Sequence, residues 1–276
     1  MILRRKNIQP SKWNAAEYAA NSVVQQSWAR ELILRLNLTG GEHILDVGCG
    51  DGKVTAELAR AVPQGFVVGV DASAEMIAYA KTTFSPAKIA NLKFEVNDAR
   101  KIGAGLVAGG FDLVFSNAAL HWVDDHEKFL RGASAVLKPG GRLVVSCGGK
   151  GNAHDVFLAL RPEMRLKRWR EYFRRMPMPY YFNSPGEYEK WLPKFGFNID
   201  TLKLAPKDVT YAGAESFATW LRTTWLPFVQ RVPDDLRAEF IAAVTQRYLA
   251  KHPPDAAGQI HVPMVRLEIE ATKMEF

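Results

Sequence analysis

Apolar and polar positions fall into two regimes along the chain. In the first half, short apolar runs alternate with segments of helical spacing. His43–Val47 is an apolar run that opens into a glycine cluster, and Gly52–Val62 reads as a helix. Phe66–Val70 is a valine-rich second strand. Ser73 can cap a helix running to about Phe84, with Glu75 in its first turn. Leu92–Val96 and Phe111–Ser116 are the third and fourth strands. Asp124 or Asp125 starts a helix that ends near Leu137, before Lys138-Pro139-Gly140-Gly141, and Arg142–Cys147 is a fifth strand. Apolar strands alternating with helices predict a mostly parallel sheet covered on both faces.

The second half reads differently. Asn152–Met176 is helical and basic, Ser184–Phe195 is a helix, and Asn198–Leu204 is a strand. Two further helices are expected over Ala214–Leu226 and Asp234–Ala250. Val265, Leu267, Ile269 and Ala271 alternate with polar residues, so this last segment reads as a half-buried strand, antiparallel at the sheet.

Composition narrows the class. With 276 residues, 47% of them hydrophobic, the chain can build one full core. A charged fraction of 24% excludes disorder for the bulk of the chain. Cys49 and Cys147 are the two cysteines, too few for a disulfide framework or a cysteine-rich zinc module. The histidines show no zinc spacing with them, and no metal is expected. No apolar run approaches the ~20 residues of a membrane helix, and the first ten residues carry no signal-type apolar segment. The expectation is a soluble cytoplasmic protein.

The net charge is +7, and much of it lies between Arg161 and Arg175, where seven basic residues face two acidic ones. The remainder is nearly neutral, so no general nucleic-acid-binding surface follows. Three readings compete for the basic stretch. It can be a solvated helix over the core, with Leu166, Trp169, Phe173 and Met176 on one face. It can be a lid that offers guanidinium to an anionic substrate. It can also dock on an acidic carrier protein or a membrane surface. Aromatic residues crowd this half and imply a pocket wall for an apolar or extended substrate.

The strongest chemical signal is Ile44-Leu45-Asp46-Val47-Gly48-Cys49-Gly50-Asp51-Gly52-Lys53. A strand runs into alternate glycines and then a helix, and Gly48 and Gly50 let a ligand press against backbone. Asp71, at the end of the second strand, is placed to accept two hydrogen bonds from a ribose diol. The spacing is G-x-G-x-G rather than the dinucleotide G-x-G-x-x-G, and no G-K-[ST] follows. Asp46 would repel a pyrophosphate and suits a ligand bearing a cation.

On these residues the chain resembles the class I S-adenosylmethionine-dependent methyltransferases. Leu45 to Gly52 is similar to their first motif, and Val68-Gly69-Val70-Asp71 to the second. Asn97-Asp98-Ala99, Ser116 to Trp122, and Leu137 to Gly141 match later motifs in order. The resemblance implies a Rossmann-like α/β fold with a seven-stranded, mostly parallel sheet, a reversed last strand and helical cap insertions. It implies one domain: residues 1–38 as an N-terminal lid helix, 39–147 as the cofactor-binding core, 148–182 and 212–258 as cap insertions, and 183–211 and 259–276 as the remaining core.

The resemblance also implies S-adenosyl-L-methionine as cofactor, leaving as S-adenosyl-L-homocysteine, with residue roles to match. Asp71-Ala72 would hold the ribose. Asp98 and the backbone of Ala99, with Asn97, would meet the adenine. Met76 either packs on the adenine or is plain core. Asn117 and Ala118 would touch the methionine moiety through backbone. Asp46, Gly48, Cys49 and Gly50 of the loop would border the cofactor, with Cys49 a small packing residue rather than a nucleophile. The N-terminal stretch with Tyr18, Ser22 and Gln25 is either a lid over the cofactor or a helix packed on the sheet edge.

The Asn-Ala-x-Leu-His-Trp segment, with that N-terminal helix, further resembles the carboxyl methyltransferases acting on trans-aconitate, juvenile hormone acid and malonyl carrier protein. It points to a small, anionic acceptor. His121 and Trp122 follow the fourth strand at the ligand-binding end of the sheet. If the acceptor is a hydroxyl or amine, His121 is the best base; if it is a carboxylate, no base is needed and both side chains can donate hydrogen bonds. A nicotinamide oxidoreductase and a non-catalytic binding protein on the same fold are the rivals.

Overall fold

In the computed structural model, residues 15, 19, 23–103, 106 and 109–275 are described, with side chains from residue 26 onward within the first helix. Tyr18 and Ser22 lie outside the described residues, as does the side chain of Gln25.

Helix α1 (Val23–Arg35) leads into strand β1 (His43–Val47), helix α2 (Lys53–Ala61) and strand β2 (Phe66–Asp71). Helix α3 (Ala74–Thr83), strand β3 (Leu92–Val96), strand β4 (Phe111–Asn117), helix α4 (His126–Val136) and strand β5 (Leu137–Gly148) complete the first half. Helix α5 (His154–Arg165), helix α6 (Pro185–Lys194), strand β6 (Phe197–Ala212), helix α7 (Gly213–Thr224), the short helix α8 (Leu226–Val229), helix α9 (Arg237–Leu249) and strand β7 (Gln259–Lys273) follow.

The seven strands form one sheet in the order β3-β2-β1-β4-β5-β7-β6. The β1, β2, β3, β4 and β5 pairings are parallel, whereas β7 runs antiparallel to both β5 and β6. The alternating Val265–Ala271 segment is therefore the reversed strand that its period of two predicts. The central strands are apolar on both faces because helices cover both. One cluster joins Leu45, Val68, Val114 and Val145 to Phe129 and Tyr188; the other joins Ile44, Val67 and Phe115 to Leu58 and Ile77.

Caps form where the sequence offers them. Ser73 accepts the Met76 amide at 3.2 Å, Asp125 rather than Asp124 accepts that of Lys128 at 3.0 Å, and Ser184 with Glu187 closes a capping box.

Three expectations of the second half are corrected. The basic segment is not one helix to Met176. Pro162 removes an amide from α5, Leu166 turns to ψ 146°, and the chain continues in hydrogen-bonded turns. Leu166 is consequently 45% exposed while Trp169 and Phe173 are buried. Strand β6 runs eight residues past Leu204 to Ala212, and Pro206 lies within it. As an outer strand of the sheet, β6 tolerates a residue without an N–H. The expected helix over Ala214–Leu226 breaks at Trp225 into α7 and α8.

The β6–β7 ladder outruns the rest of the sheet. Gly148 pairs with Arg266, and beyond that point β7 pairs with β6 alone, from Pro206–Val265 to Ala212–Gln259. The projecting arm carries Val209, Tyr211, Ile260, Val262 and Met264 into a third apolar cluster built with α5, α7, α8, α9 and the turns after α5. Among the described residues, no helix is long and apolar enough to cross a membrane.

Candidate functional site

Strand β1 is flanked by β2 on one side and β4 on the other, so the chain leaves its carboxyl end in a crevice where the strand order reverses. The glycine loop fills one wall. The amides of Gly48 and Cys49 both donate to the Val70 carbonyl, at 2.7 and 3.0 Å, which folds the loop over the end of β2. Gly48 has φ 79°, and a Cβ there would stand 2.1 Å from that of Ala119. Gly52, at φ 82°, would drive a Cβ into Phe94 and Ala80 at 2.7 and 2.8 Å. Glycine is thus demanded at both positions by backbone angle and by neighbours.

Two carboxylates sit at this end of the sheet. Asp71 accepts the Gly50 amide at 3.0 Å and the Ser73 amide at 2.8 Å, so its orientation is fixed by backbone. Burial raises its carboxyl above the usual range, and these two amides oppose the shift. Asp46 is only 2% exposed, and its Oδ2 accepts the Thr55 hydroxyl at 2.7 Å. Burial pushes it up to about 7, against the Thr55 hydrogen bond and helped by the nearby Asp71 charge.

Asp46, Gly48, Cys49, Gly50, Asn117 and Ala118 line one narrow cavity. Gln26, Asp51, Lys53 and Val54 complete its walls. Gln26 and Arg30 of α1 hold Glu57 of α2, so the helix before β1 is tied to the glycine-loop helix. The Lys53 ammonium reaches the Ala19 carbonyl. Asn97, Asp98 and Ala99 follow β3 beside Asp71, with the Asn97 amide on the Asp71 carbonyl at 2.9 Å. Asp98 caps the short turn at Ala99–Lys101 and pairs with the Arg100 guanidinium. Met76 is buried in the first turn of α3, and Ala72 is exposed between Asp71 and Ser73. Cys49 is buried, and its thiol is pushed far above its ordinary range by burial and the surrounding carboxylates.

His121 and Trp122 lie on a single 3-10 turn just after β4, which Ala118 enters at φ 58°. The Gly148 amide donates to His121 Nδ1 at 3.3 Å, and the His121 carbonyl accepts the Tyr181 amide at 2.8 Å. Trp122, Tyr180 and Phe182 surround the imidazole at ring-centroid distances of 5.6, 6.0 and 6.0 Å. Burial first, and the Arg266 guanidinium second, push the imidazole down to about 3. His121 is therefore neutral near pH 7. Its Nδ1 accepts a backbone N–H, so the ring proton sits on Nε2.

Sequence reading missed three contributors. Arg266, on β7 and only 4% exposed, donates from Nη2 to Asn117 Oδ1 at 3.1 Å and from Nε to the Ser146 hydroxyl at 3.1 Å. Its guanidinium also stands 4.9 Å from the centre of the Trp28 ring. It reads in sequence as one polar position of an alternating strand, so only the β5–β7 register reveals it. Val96 is 55% exposed beside Asp71, an apolar platform at the end of the third strand. Gln26, next to Gln25, had no signal of its own. Among the described residues, no group of three His, Cys, Asp or Glu side chains could hold a metal ion.

The residues fit S-adenosylmethionine. A backbone-oriented carboxylate ends the second strand, a buried carboxylate lines the glycine cavity, and an apolar surface lies beside them. Comparison with known proteins agrees. A family model described as a methyltransferase domain matches residues 38–176. An uncharacterized methyltransferase of Schizosaccharomyces pombe is 32% identical over 68% of this chain and 71% of its own. The trans-aconitate 2-methyltransferase of Variovorax paradoxus is 30% identical over 95% of this chain and 98% of its own. The solved phosphoethanolamine N-methyltransferase 2 of Haemonchus contortus, in complex with S-adenosyl-L-methionine, shares the fold. Its TM-score is 0.56 at 20% identity, over 90% of this chain and 53% of that one. The chain belongs to the methyltransferase-domain family and is an S-adenosylmethionine-dependent methyltransferase.

Proposed function

We propose that the enzyme methylates a carboxylate oxygen of a small organic acid. The observation that carries this reading is the fixed tautomer of His121. A general base must accept a proton near the working pH, and an imidazole held near 3 with Nδ1 already bonded is a poor acceptor there. As a donor it is well placed: Nε2–H can bind an anionic oxygen, and the Arg266 guanidinium next to Asn117 makes this end of the sheet favourable for negative charge. A carboxylate is ionised at pH 7 and needs no base. The trans-aconitate 2-methyltransferase relative acts on an acid of this class.

Bound S-adenosylmethionine supplies an electrophilic methyl group on a sulfonium centre. In this reading Asp71 holds the ribose diol, and Asp46 faces the cationic end of the cofactor. Met76, Val96 and Ala99 border the adenine, with Asn97 and Asp98 beside it. Ala118, strained at φ 58°, and Asn117 present backbone to the methionine moiety. Tyr18 and Gln25 are the proposed lid contacts, and Trp122 narrows the acceptor's approach. The chain's work is positioning and exclusion of water. The first helix, the cofactor core and the cap act as one domain, with the cap over residues 148–182 and 212–258.

The test is steady-state kinetics of His121→Asn on the acid acceptor across pH 5 to 9. The Michaelis constant should rise about tenfold with turnover falling less than about threefold, because a ground-state contact is lost. A ~10²–10⁴-fold collapse of turnover, with a histidine-like ionisation in the wild-type profile, would instead make His121 a base.

A further inference from the structure

Helix α5 and the basic turns after it line a second, open cavity of about 530 Å³, inside the usual range for small-molecule sites. Its floor is apolar: Phe157, Phe173 and Phe228, with Met164, Met176 and Met178. Its rim carries Arg161, Arg165 and Arg170. Of the nearby cations, Arg168 pairs with Glu239 and Arg247 with Glu163. Among the described residues, none of the three rim arginines forms an ion pair. The Arg161 guanidinium lies 5.4 Å from the centre of the Phe157 ring, which fixes it above the apolar floor.

Three like charges on one concave apolar wall repel one another, and an anion relieves that repulsion. A purely polar anion would leave the phenyl and thioether surface unused, and a neutral hydrocarbon would leave the guanidinium groups unused. We infer that this cavity binds an amphipathic organic anion, a carboxylate carrying an alkyl or aryl body. Thioether side chains adapt to such a body without a fixed shape.

The cavity is coupled to the methyl-transfer end of the sheet. Phe157 packs on Tyr180 and Phe182 at 6.2 Å each, and both of those rings pack on His121. One short segment serves both places: Met176 to Met178 line the cavity, and Tyr180 to Phe182 enclose the imidazole. The anion can therefore be the far end of the acceptor itself or a separate ligand sensed through Phe157.

Calorimetric titration of the S-adenosylhomocysteine-loaded enzyme with decanoate tests the site, with decanol as the neutral isostere. Decanoate should bind more tightly than decanol. Arg165→Gln/Arg170→Gln, both exposed side chains, should weaken decanoate at least tenfold and decanol less than threefold. No decanoate binding at millimolar concentration, or equal binding by wild type and double variant, would overturn the inference. A turnover arm separates the sources and alone rests on the carboxylate reading. Monomethyl ester formation from decanedioate, whose second carboxylate can meet the methyl donor while the first sits at the rim, with a Michaelis constant raised tenfold in the double variant, identifies the far end of the acceptor itself. Binding with the same arginine dependence and without ester identifies a separate ligand. Because the titration is done without turnover, it stands or falls independently of the role of His121.

Discussion

The two halves of the molecule are built by different means. Around the glycine loop, the geometry is set by backbone. Asp71 is aimed by the Gly50 and Ser73 amides, the loop is folded by the Val70 carbonyl, and Gly48 is required by Ala119. Around the cap, it is set by side-chain packing. Trp225 stands 4.9 Å from Phe157, Phe217 4.7 Å from Tyr248, and Tyr180 5.4 Å from Phe182. Backbone geometry tolerates few alternatives, whereas a packed aromatic wall can be rebuilt around a different molecule. The first half therefore suits a ligand common to a whole family, and the second suits one peculiar to this enzyme.

The largest expected effect attacks the backbone half. Gly48→Val must hold a β-branched residue at φ 79° and place its Cβ against Ala119 at 2.1 Å. Left-handed strain alone costs about 1–2 kcal/mol. S-adenosylhomocysteine affinity should fall at least about a hundredfold, with far-ultraviolet dichroism retained. Normal binding by calorimetry would reduce the loop to a simple turn.

A smaller effect is a pH dependence that only this half should show. Asp46 is raised to about 7 by burial, so in the free enzyme it is largely neutral below pH 7 and ionised above it. An α-ammonium group, which S-adenosylhomocysteine keeps at its amino-acid end, favours the ionised form when it lies beside Asp46. Affinity for S-adenosylhomocysteine should thus tighten as pH rises from 6 to 8, by up to about tenfold by proton linkage. Asp46→Asn should flatten the slope. A slope that survives the substitution assigns the titration elsewhere.

The smallest effect belongs to the cap surface. Arg168 and Glu239 are an exposed pair, and such pairs contribute roughly 0–1 kcal/mol. Arg168→Ala should leave the unfolding free energy within about 1 kcal/mol of wild type and cofactor affinity unchanged. A larger loss would mean that the cap turns depend on charge rather than on Trp169 and Phe173.

The same contrast explains what could be read from the sequence. Gly48 and Gly50 were legible because a strand-end turn demands glycine in a particular order, and Asp71 because a carboxylate at the end of the second strand stands out there. The reversed β7 was legible from its period of two. The length of β6 was not, because Pro206 reads as a stop unless the strand is known to be an outer one. The end of α5 was hidden because the apolar spacing of Leu166, Trp169 and Phe173 continues past Arg165, although the helix does not. Arg266 was invisible for another reason. It meets Asn117 across 149 residues of chain, and long-range register cannot be heard in a local pattern.

His121 is where the two halves meet, held by Gly148 on the sheet side and ringed by Tyr180 and Phe182 on the cap side. Whether it donates or removes a proton decides the chemistry. Heteronuclear NMR of its imidazole nitrogens in the S-adenosylhomocysteine complex, from pH 5 to 9, reads this directly. The account predicts a neutral ring with the proton on Nε2 throughout, and no titration in that range. A ring that titrates between pH 6 and 7.5, or that carries its neutral proton on Nδ1, would contradict it.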